Sequence, residues 1–567
     1  MPGKRTYHLN GKWCRIIPAA LFFVVSFLLL KSLLPPLPLF ITDNGNKYMI
    51  MRNFAENGTV AFSQLPPELF PKGGFHFQYI PDRGIYSFHS WVLPVVAAPF
   101  YLLSGENGAL LPVLCSALGI IMLLCASRRD RFSLYALLLT TPFWLYSLML
   151  WEMVPGMLAA LAGFIMLKRR NMLAAGIIFG LGIWMREELY ILGFITGIIL
   201  LCRRQWRNAL HLAAGAIAAV LPLWLINFLI YGHILGLHGA TYAVNNREGT
   251  FSLLAELQGV VFNYYQHLLR FETISPPYAA LALSVCGTAA LLVPGFFRDT
   301  KVKLAGLTAF TVIDLIFILH LFRSRDMVMM DSPLFRCGVT MSLFFTLPLA
   351  AGYFINLRTL LTDRNRNMRF MAQAVLIYIV FVPVMLTRFD IGLTFGARHY
   401  MCIMPMLMIL SFRGFAGMQC PVRIKQFFLL VLCAGGIVLQ FWGFKTLYIS
   451  SRHSAALETR LAACPEKTVI SDVFFLPEQA PRIFFDKQFL EVASPQQLTA
   501  AIAYLQKHQT SEFILILGRN QFRKMDNAVL KRLLDAYPVC APPQEIYAAP
   551  GMPLFIVHCR APQPAAQ

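Results

Sequence analysis

Apolar runs recur along most of the chain, at roughly 16–34, 108–126, 132–150, 153–168, 171–186, 188–202, 208–230, 276–296, 304–322, 337–357, 370–387, 400–413 and 426–447. A backbone in lipid must satisfy its own hydrogen bonds, and a helix of about 20 residues crosses the hydrocarbon core. The pattern therefore predicts thirteen membrane-spanning helices, several of them short. Lys and Arg fill alternate short loops: the N-terminal segment, "SRRDR" (127–131), "KRR" (168–170), "CRRQWR" (202–207), "FFRDTKVK" (296–303), "RTLLTDRNRNMR" (358–369) and "RGFAGMQCPVRIK" (413–425). The positive-inside rule makes that side cytoplasmic. The outward segments are then 35–107, the tips near Trp151 and Arg186, 231–275, 323–336, 388–399 and everything beyond 448.

Beyond residue 447 the period changes. "TVISDVFF", "SEFILILG" and "LFIVHC" read as short strands, and "SPQQLTAAIAYLQKHQ" and "MDNAVLKRLLDAY" as amphipathic helices between them. The expected fold class is an all-α polytopic membrane protein of about 13 transmembrane helices, residues 1–447 with a first extracytoplasmic loop at 35–107. A small extracytoplasmic α/β domain, 448–567, follows it and is expected to fold as a unit over 455–560.

Composition agrees. The 567 residues are 57% apolar and 13% aromatic, and the mean hydropathy is +0.59, more apolar surface than a soluble core of this size uses. The formal charge of +21 sits in short clusters between apolar runs rather than in one stripe, so it reads as topology and not as a nucleic-acid surface. No small-residue cleavage site follows the first run, which is read as a retained helix. Most of the twelve cysteines lie in apolar runs and show no metal-site pairing; Cys464, Cys540 and Cys559 face the outer compartment, with Cys540 and Cys559 a candidate staple.

Ionisable residues at the outer ends of the predicted spans carry the candidate chemistry. After the first span, "TDNG" caps an expected helix from about Gly45 to Glu56, bringing Asp43, Lys47 and Arg52 to the membrane edge. Asp43 is either an N-cap or a carboxylate facing a semi-buried cavity, where burial raises basicity. The loop that follows holds Arg83, Tyr86 and His89 without metal-ligand spacing, then "WVLPVVAAPFYLL", which suits a helix at the interface. "LMLWEMVPG" brings Glu152, and "GIWMREEL" brings Arg186, Glu187 and Glu188, at depths where a charge costs a few kcal/mol; the bland reading of the latter, most apt for Glu188, is an Arg–Glu pair that turns the chain. "TFGARHYMCIMP" contributes Arg398 and His399; an arginine there either snorkels to headgroups or grips a lipid phosphate with planar, permanently charged donors.

In their order, "ITDNGNKYMIMRNFAENG", "YSFHSWVLPVVAAPFYLL", "GLGIWMREELYIL", "NFLIYGHILGLHGATY" and "TFGARHYMCIMP" give residues 10–447 a pattern that resembles the membrane-embedded GT-C glycosyltransferases, the superfamily of the protein O-mannosyltransferases and the aminoarabinose transferase of lipid A. The resemblance implies transfer of a sugar from a polyprenyl-phosphate carrier to a lipid, glycan or protein acceptor on the extracytoplasmic face. Asp43 stands where that family has the acidic residue of its first loop, the presumed base. Asn44 replaces the second acid of the usual Asp-Glu pair, which leaves Glu152 open as an assisting carboxylate. Arg186 and Arg398 fall on motifs that hold the carrier phosphate, and Lys47 joins them by position. The site expected from these readings is Asp43 and Glu152 as catalytic groups, with Lys47, Arg52, Arg83, Tyr86, His89, Arg186, Glu187, Arg398 and His399 toward substrate.

No metal site and no cofactor are expected, with a divalent cation left open. The partners are the polyprenyl-linked donor, the acceptor and the bilayer, and the place is a bacterial inner membrane, although Asn57-Gly58-Thr59 matches a eukaryotic glycosylation acceptor. Three other readings compete, one of them a non-catalytic scaffold, which mutation of Asp43 would reveal. A lipid-linked oligosaccharide polymerase or ligase would work through a large later loop such as 231–275. A flippase or transporter would need ionisable residues at mid-span and repeat symmetry, neither of which this reading finds.

Overall fold

The computed structural model describes residues 10–39, 42–63, 65–66, 77–80, 82–126, 131–237, 253–269, 277–323, 342–385, 396–492, 494–518, 533–535, 537–549 and 552–561. Among them, five helices are long and apolar enough to cross a bilayer: Trp206–Tyr231, Thr300–Leu321, Arg366–Met385, Arg398–Gly417 and Val422–Ala463. A sixth candidate is the pair α3 (Val92–Gly108) and α4 (Leu111–Ala126), which bend by 87° at their junction. The expected interfacial segment is therefore the first limb of a sharply bent helix pair. Shorter apolar helices, including α7 (Met153–Lys168), α8 (Met172–Met185) and α9 (Glu188–Cys202), pack among these. The chain is an integral membrane protein, with five or six candidate spans among the described residues by length and composition.

Two of the expected spans are broken. Residues 132–150 divide into α5 (Arg131–Thr140) and α6 (Phe143–Ser147) around Pro142, and the described part of 337–357 forms short turns around Pro348. Proline removes a helix donor and clashes with the preceding turn, so an apolar run containing one need not stay a single rod. A third correction concerns charge at mid-span. Asp314 lies inside Thr300–Arg323, is 2% exposed, and its Oδ1 has no hydrogen-bond partner among the described residues.

The helix after the first span, α2 (Thr42–Asn57), begins before the expected cap, so Asp43 sits in its first turn rather than at its N-cap. Its sequence reads as polar, yet Asn44, Asn46, Lys47, Tyr48, Met49, Ile50, Met51 and Asn53 are all buried. Tyr48 and Met51 belong to the core of the bundle, while Met49 and Ile50 belong to a second core built with the C-terminal strands. Its amides find partners in all directions: Asn44 donates to the Leu150 carbonyl, Asn46 donates to Glu478 and accepts from Ser87, and Asn53 donates to the carbonyls of Thr59 and Ala61.

The C-terminal strands form one mixed sheet, β4-β3-β5-β7-β6, from β3 (Thr468–Ser471), β4 (Gln488–Glu491), β5 (Glu512–Gly518), β6 (Gln544–Ala549) and β7 (Met552–Arg560). β3 runs parallel to β4 and β5; β7 pairs antiparallel with β5 and β6. The helix Pro495–Lys507, started by a Ser494–Gln497 capping box, makes the crossover that a parallel pair requires. The expected helix at 525–537 lies largely outside the described residues. Cys540 and Cys559 are separate thiols rather than a staple, and burial pushes the Cys559 thiol up to about 12.

The sheet shares its core with other parts of the chain. Its core includes Phe62, Phe77 and Ile85 of the first loop as well as Met49 and Ile50. The helix Val422–Ala463 runs straight through the expected 447/448 boundary and feeds β3. Arg482 ties the pieces together, with a bidentate bond to Glu106 (2.6 and 2.8 Å), one to Glu458 (2.6 Å) and one to the Leu37 carbonyl (3.0 Å).

The tightest approach among the described glycines is at Gly45, where a Cβ would stand 1.8 Å from the Glu478 carbonyl oxygen. A backbone atom cannot swing aside as a side chain can. Gly45→Ala should therefore cost about 1–3 kcal/mol, as overpacking does, and should raise proteolysis between residues 464 and 492 at unchanged insertion. Proteolysis and melting like the wild type would show that α2 and the sheet do not hold this contact.

Candidate active site

Five elements bring ionisable side chains to one end of the helical bundle. α2 supplies Asp43 and Lys47, four residues apart and so on one face. Glu152 precedes α7, Arg186 ends α8, Glu188 opens α9, and Arg398 and His399 begin the 3₁₀ turn Arg398–Ile403.

These groups alternate in sign. Asp43 lies 3.6 Å from Arg398, whose Nε donates to His399 Nε2 at 3.1 Å. The other nitrogen of His399 is 2.8 Å from Glu188, which pairs with Arg186. Arg186 reaches Glu152 at 3.5 Å, and Glu152 reaches Lys47 at 3.3 Å. Lys47 returns to Asp43 along α2, closing a ring. His89 stands outside it, 3.7 Å from Asp43.

Local packing explains the placement. Gly156 leaves room for Arg186 to lie against α7, since a Cβ there would be 2.7 Å from Arg186 Cγ. Tyr378 donates to the His399 carbonyl at 2.9 Å, the His267 ring meets His399 edge-on at 5.1 Å, and Trp151 lies 5.6 Å from the Lys47 ammonium.

Three acidic side chains (Asp43, Glu152, Glu188) face three basic ones (Lys47, Arg186, Arg398), so with all six ionised and neutral histidines the ring carries no net charge. This balance makes burial affordable, because an unpaired charge at such depth costs several kcal/mol. The ring is not uniformly covered. Asp43 is 20% exposed, while Lys47, Glu152, Arg186, Glu188, Arg398 and His399 lie between 1% and 12%. Hydrogen bonding is also incomplete: Arg186 Nε, Trp151 Nε1 and Asn44 Oδ1 are buried without such a partner among the described residues. An open carboxylate next to an arginine, backed by further cations and spare polar atoms, can receive an anionic group and accept a proton beside it.

Of the residues expected from the sequence, Asp43, Glu152, Lys47, Arg186, Arg398 and His399 meet in the ring, with His89 at its edge. The others stand apart. Arg52 pairs with Glu56 at 2.7 Å and donates to the Arg482 carbonyl, Arg83 binds the Phe228 carbonyl at the end of a helix, and the Tyr86 hydroxyl bonds the Arg83 carbonyl. Glu187 is exposed at the N-cap of α9. Sequence reasoning left out Glu188, read as a turn-forming pair; its only signal was its place beside Arg186 in an apolar run. Nothing in the sequence marked Tyr378 or His267. No His/Cys/Asp/Glu group in the ring converges as metal ligands do; among the described residues the group that does is Cys464, Glu466 and His558, on the C-terminal sheet.

The burial makes a stability prediction. Removing one member of a buried pair leaves the other uncompensated, at about 3–5 kcal/mol. Lys47→Met should therefore destabilise strongly, whereas Lys47→Met combined with Glu152→Gln should recover about 0.5–3 kcal/mol of coupling in thermal unfolding. Strict additivity would mean that the two side chains are not energetically paired.

No family model and no curated protein matches this sequence. Among solved structures, the chain is similar to ArnT from Cupriavidus metallidurans in the apo state, at 14% identity and a TM-score of 0.48 over 95% of this chain and 97% of that one. It is similar to the same protein bound to undecaprenyl phosphate at 14% identity and a TM-score of 0.47, with the same coverage.

Proposed function

We propose that this protein is a membrane glycosyltransferase that moves a sugar from a polyprenyl-phosphate carrier to an acceptor on the extracytoplasmic face, with Asp43 as general base. The observation that carries the reading is the Asp43–Arg398 pair: the most open carboxylate of a buried, charge-balanced ring, matched to an arginine at 3.6 Å. The sequence resemblance described above points the same way.

The chemistry follows from competition for Arg398. An arriving carrier phosphate and Asp43 are both bidentate anionic partners for the same guanidinium. Once the phosphate engages Arg398, Asp43 loses a counterion in a low-dielectric site and becomes more basic. It then takes the proton of the acceptor hydroxyl as that oxygen attacks the anomeric carbon. The bond from that carbon to the carrier phosphate breaks, and the charge left on the phosphate is met by Arg398, with Arg186 and Lys47 behind it. Glu152 holds Lys47 and Arg186 in place in this scheme and is a positioning residue.

Helix polarity supports the outward placement. The far ends of the helices that carry the ring are basic, with Lys168, Arg169 and Arg170 at the end of α7 and Arg203 and Arg204 after α9. The positive-inside rule assigns those ends to the cytoplasm. The 42-residue helix Val422–Ala463 starts near Arg423 and Lys425, and at about 1.5 Å per residue it is roughly twice the thickness of the hydrocarbon core. It therefore has length to spare to carry the sheet out on the side of α2.

Asp43→Asn tests the assignment, because it keeps the shape of the side chain while removing its basicity and its negative charge. The Asn variant should insert, with some loss of thermal stability because Arg398 loses its counterion, yet transfer sugar from a polyprenyl-phosphate donor about 10²–10⁴-fold more slowly. Near-full transfer by a well-folded Asn variant would exclude Asp43 as the base.

A further inference from the structure

On the C-terminal sheet, away from the charged ring, three side chains of metal-ligand type converge. The long helix Val422–Ala463 ends at Cys464, which has extended backbone, and Cys464-Pro465-Glu466 leads into β3. Proline fixes the backbone between the thiol and the carboxylate. His558 comes from β7, 92 residues beyond Glu466. The candidate donor atoms of Cys464, Glu466 and His558 lie within 4.8 Å of one another, and Glu466 Oε1 is 2.7 Å from His558 Nδ1.

A second observation points to a ligand. Glu466 is 7% exposed, and its other oxygen, Oε2, is buried with no hydrogen-bond partner among the described residues. A buried, unmatched carboxylate oxygen costs free energy that a His–Glu pair alone does not recover. The neighbouring cation does not fill this role: Lys487 is committed to the carbonyls of Cys464 (2.8 Å) and Glu466 (2.6 Å), which holds the backbone of the Cys-Pro-Glu turn in place. The Cys464 thiol gives its hydrogen to the Arg460 carbonyl.

We infer that Cys464, Glu466 and His558 form a site for a borderline-soft divalent transition ion, of which Zn²⁺ fits the sulfur, oxygen and nitrogen donors best. Tetrahedral Zn²⁺ with bonds of about 2.0–2.3 Å separates its ligand atoms by roughly 3.3–3.8 Å, so closing this cluster needs small side-chain movements and no change of backbone. On binding, Cys464 releases its proton to solvent and ligates as thiolate. Three protein ligands leave a fourth position for water. The site joins the end of the long helix to β3 and β7 and would brace the junction between bundle and sheet. It does not depend on the transferase reading.

The test uses the full-length chain in detergent, with any affinity tag removed and bound metal stripped by chelator, and Zn²⁺ or Co²⁺ alone as probe. The wild type should take up one equivalent, and the Co²⁺ form should show a thiolate-to-cobalt charge-transfer band that Cys464→Ser abolishes. Cys464→Ser and His558→Gln should each weaken Zn²⁺ at least about tenfold, since even outer-sphere losses cost on the order of 10–100-fold, while Cys540→Ser, altering a thiol outside the cluster, should bind like the wild type. The wild type supplies a check independent of variant folding: Zn²⁺ should slow alkylation of Cys464 at least about tenfold, and chelator should restore the rate. No charge-transfer band, unprotected Cys464, or unchanged affinity in both variants would overturn the site.

Discussion

A charge held at the edge of a bilayer has to be matched by another charge, and the architecture around α2 follows from that requirement. Lys47 is almost wholly buried, which is tenable because Glu152 stands 3.3 Å away and is itself shared with Arg186. The logic repeats through Glu188, His399 and Arg398 to Asp43, which the backbone of α2 joins to Lys47. The ring sits where helix ends, rather than helix middles, converge, so the chain can bring six charges together without exposing an unsatisfied backbone to lipid. Asp43 alone keeps appreciable contact with the exterior. Its pairing is therefore the one an incoming anion can exchange at least cost.

The second constraint is that α2 serves two cores. Its Tyr48 and Met51 lock it to the bundle, and its Met49 and Ile50 lock it to the C-terminal sheet. Glu478 meets the same helix through Asn46 and through the backbone contact at Gly45, one turn or less from Asp43. Arg482 extends the linkage to α3, to the end of the long helix and to the segment after the first span. The C-terminal sheet thus acts as a backing for the helix that carries the proposed base. That gives residues 448–567 a structural reason to be present that needs no separate activity.

Much of the site was legible because a charge inside or beside an apolar run is conspicuous. Glu152 stands between two such runs, Arg186 ends one and Arg398 lies just before another, and each lies in the ring. Arg52, Arg83 and Tyr86 sit in polar surroundings, where nothing in the local sequence distinguishes a residue facing the site from one that closes a helix end or a loop. α2 itself shows the limit most clearly, since its asparagines and lysine read as a solvated surface helix and are in fact buried, their polarity absorbed by Leu150, Glu478, Ser87 and Glu152 from remote parts of the chain. The broken runs at 132–150 and 337–357 follow from Pro142 and Pro348, and Asp314 was visible in its run but not weighed as a mid-span charge. The cluster of Cys464, Glu466 and His558 was beyond spacing arguments, because the strand pairing that closes 92 residues is not a local property.

The central claim is that a carrier phosphate and Asp43 compete for Arg398. Equilibrium binding of a polyprenyl monophosphate to the purified full-length protein tests it directly, in the wild type and in Asp43→Asn and Arg398→Gln. The account predicts that Asp43→Asn binds at least as tightly as the wild type, because the competing carboxylate is gone, and that Arg398→Gln loses at least tenfold, about 1.4 kcal/mol. Unchanged affinity in a folded Arg398→Gln protein, or weakened binding in Asp43→Asn, would contradict it.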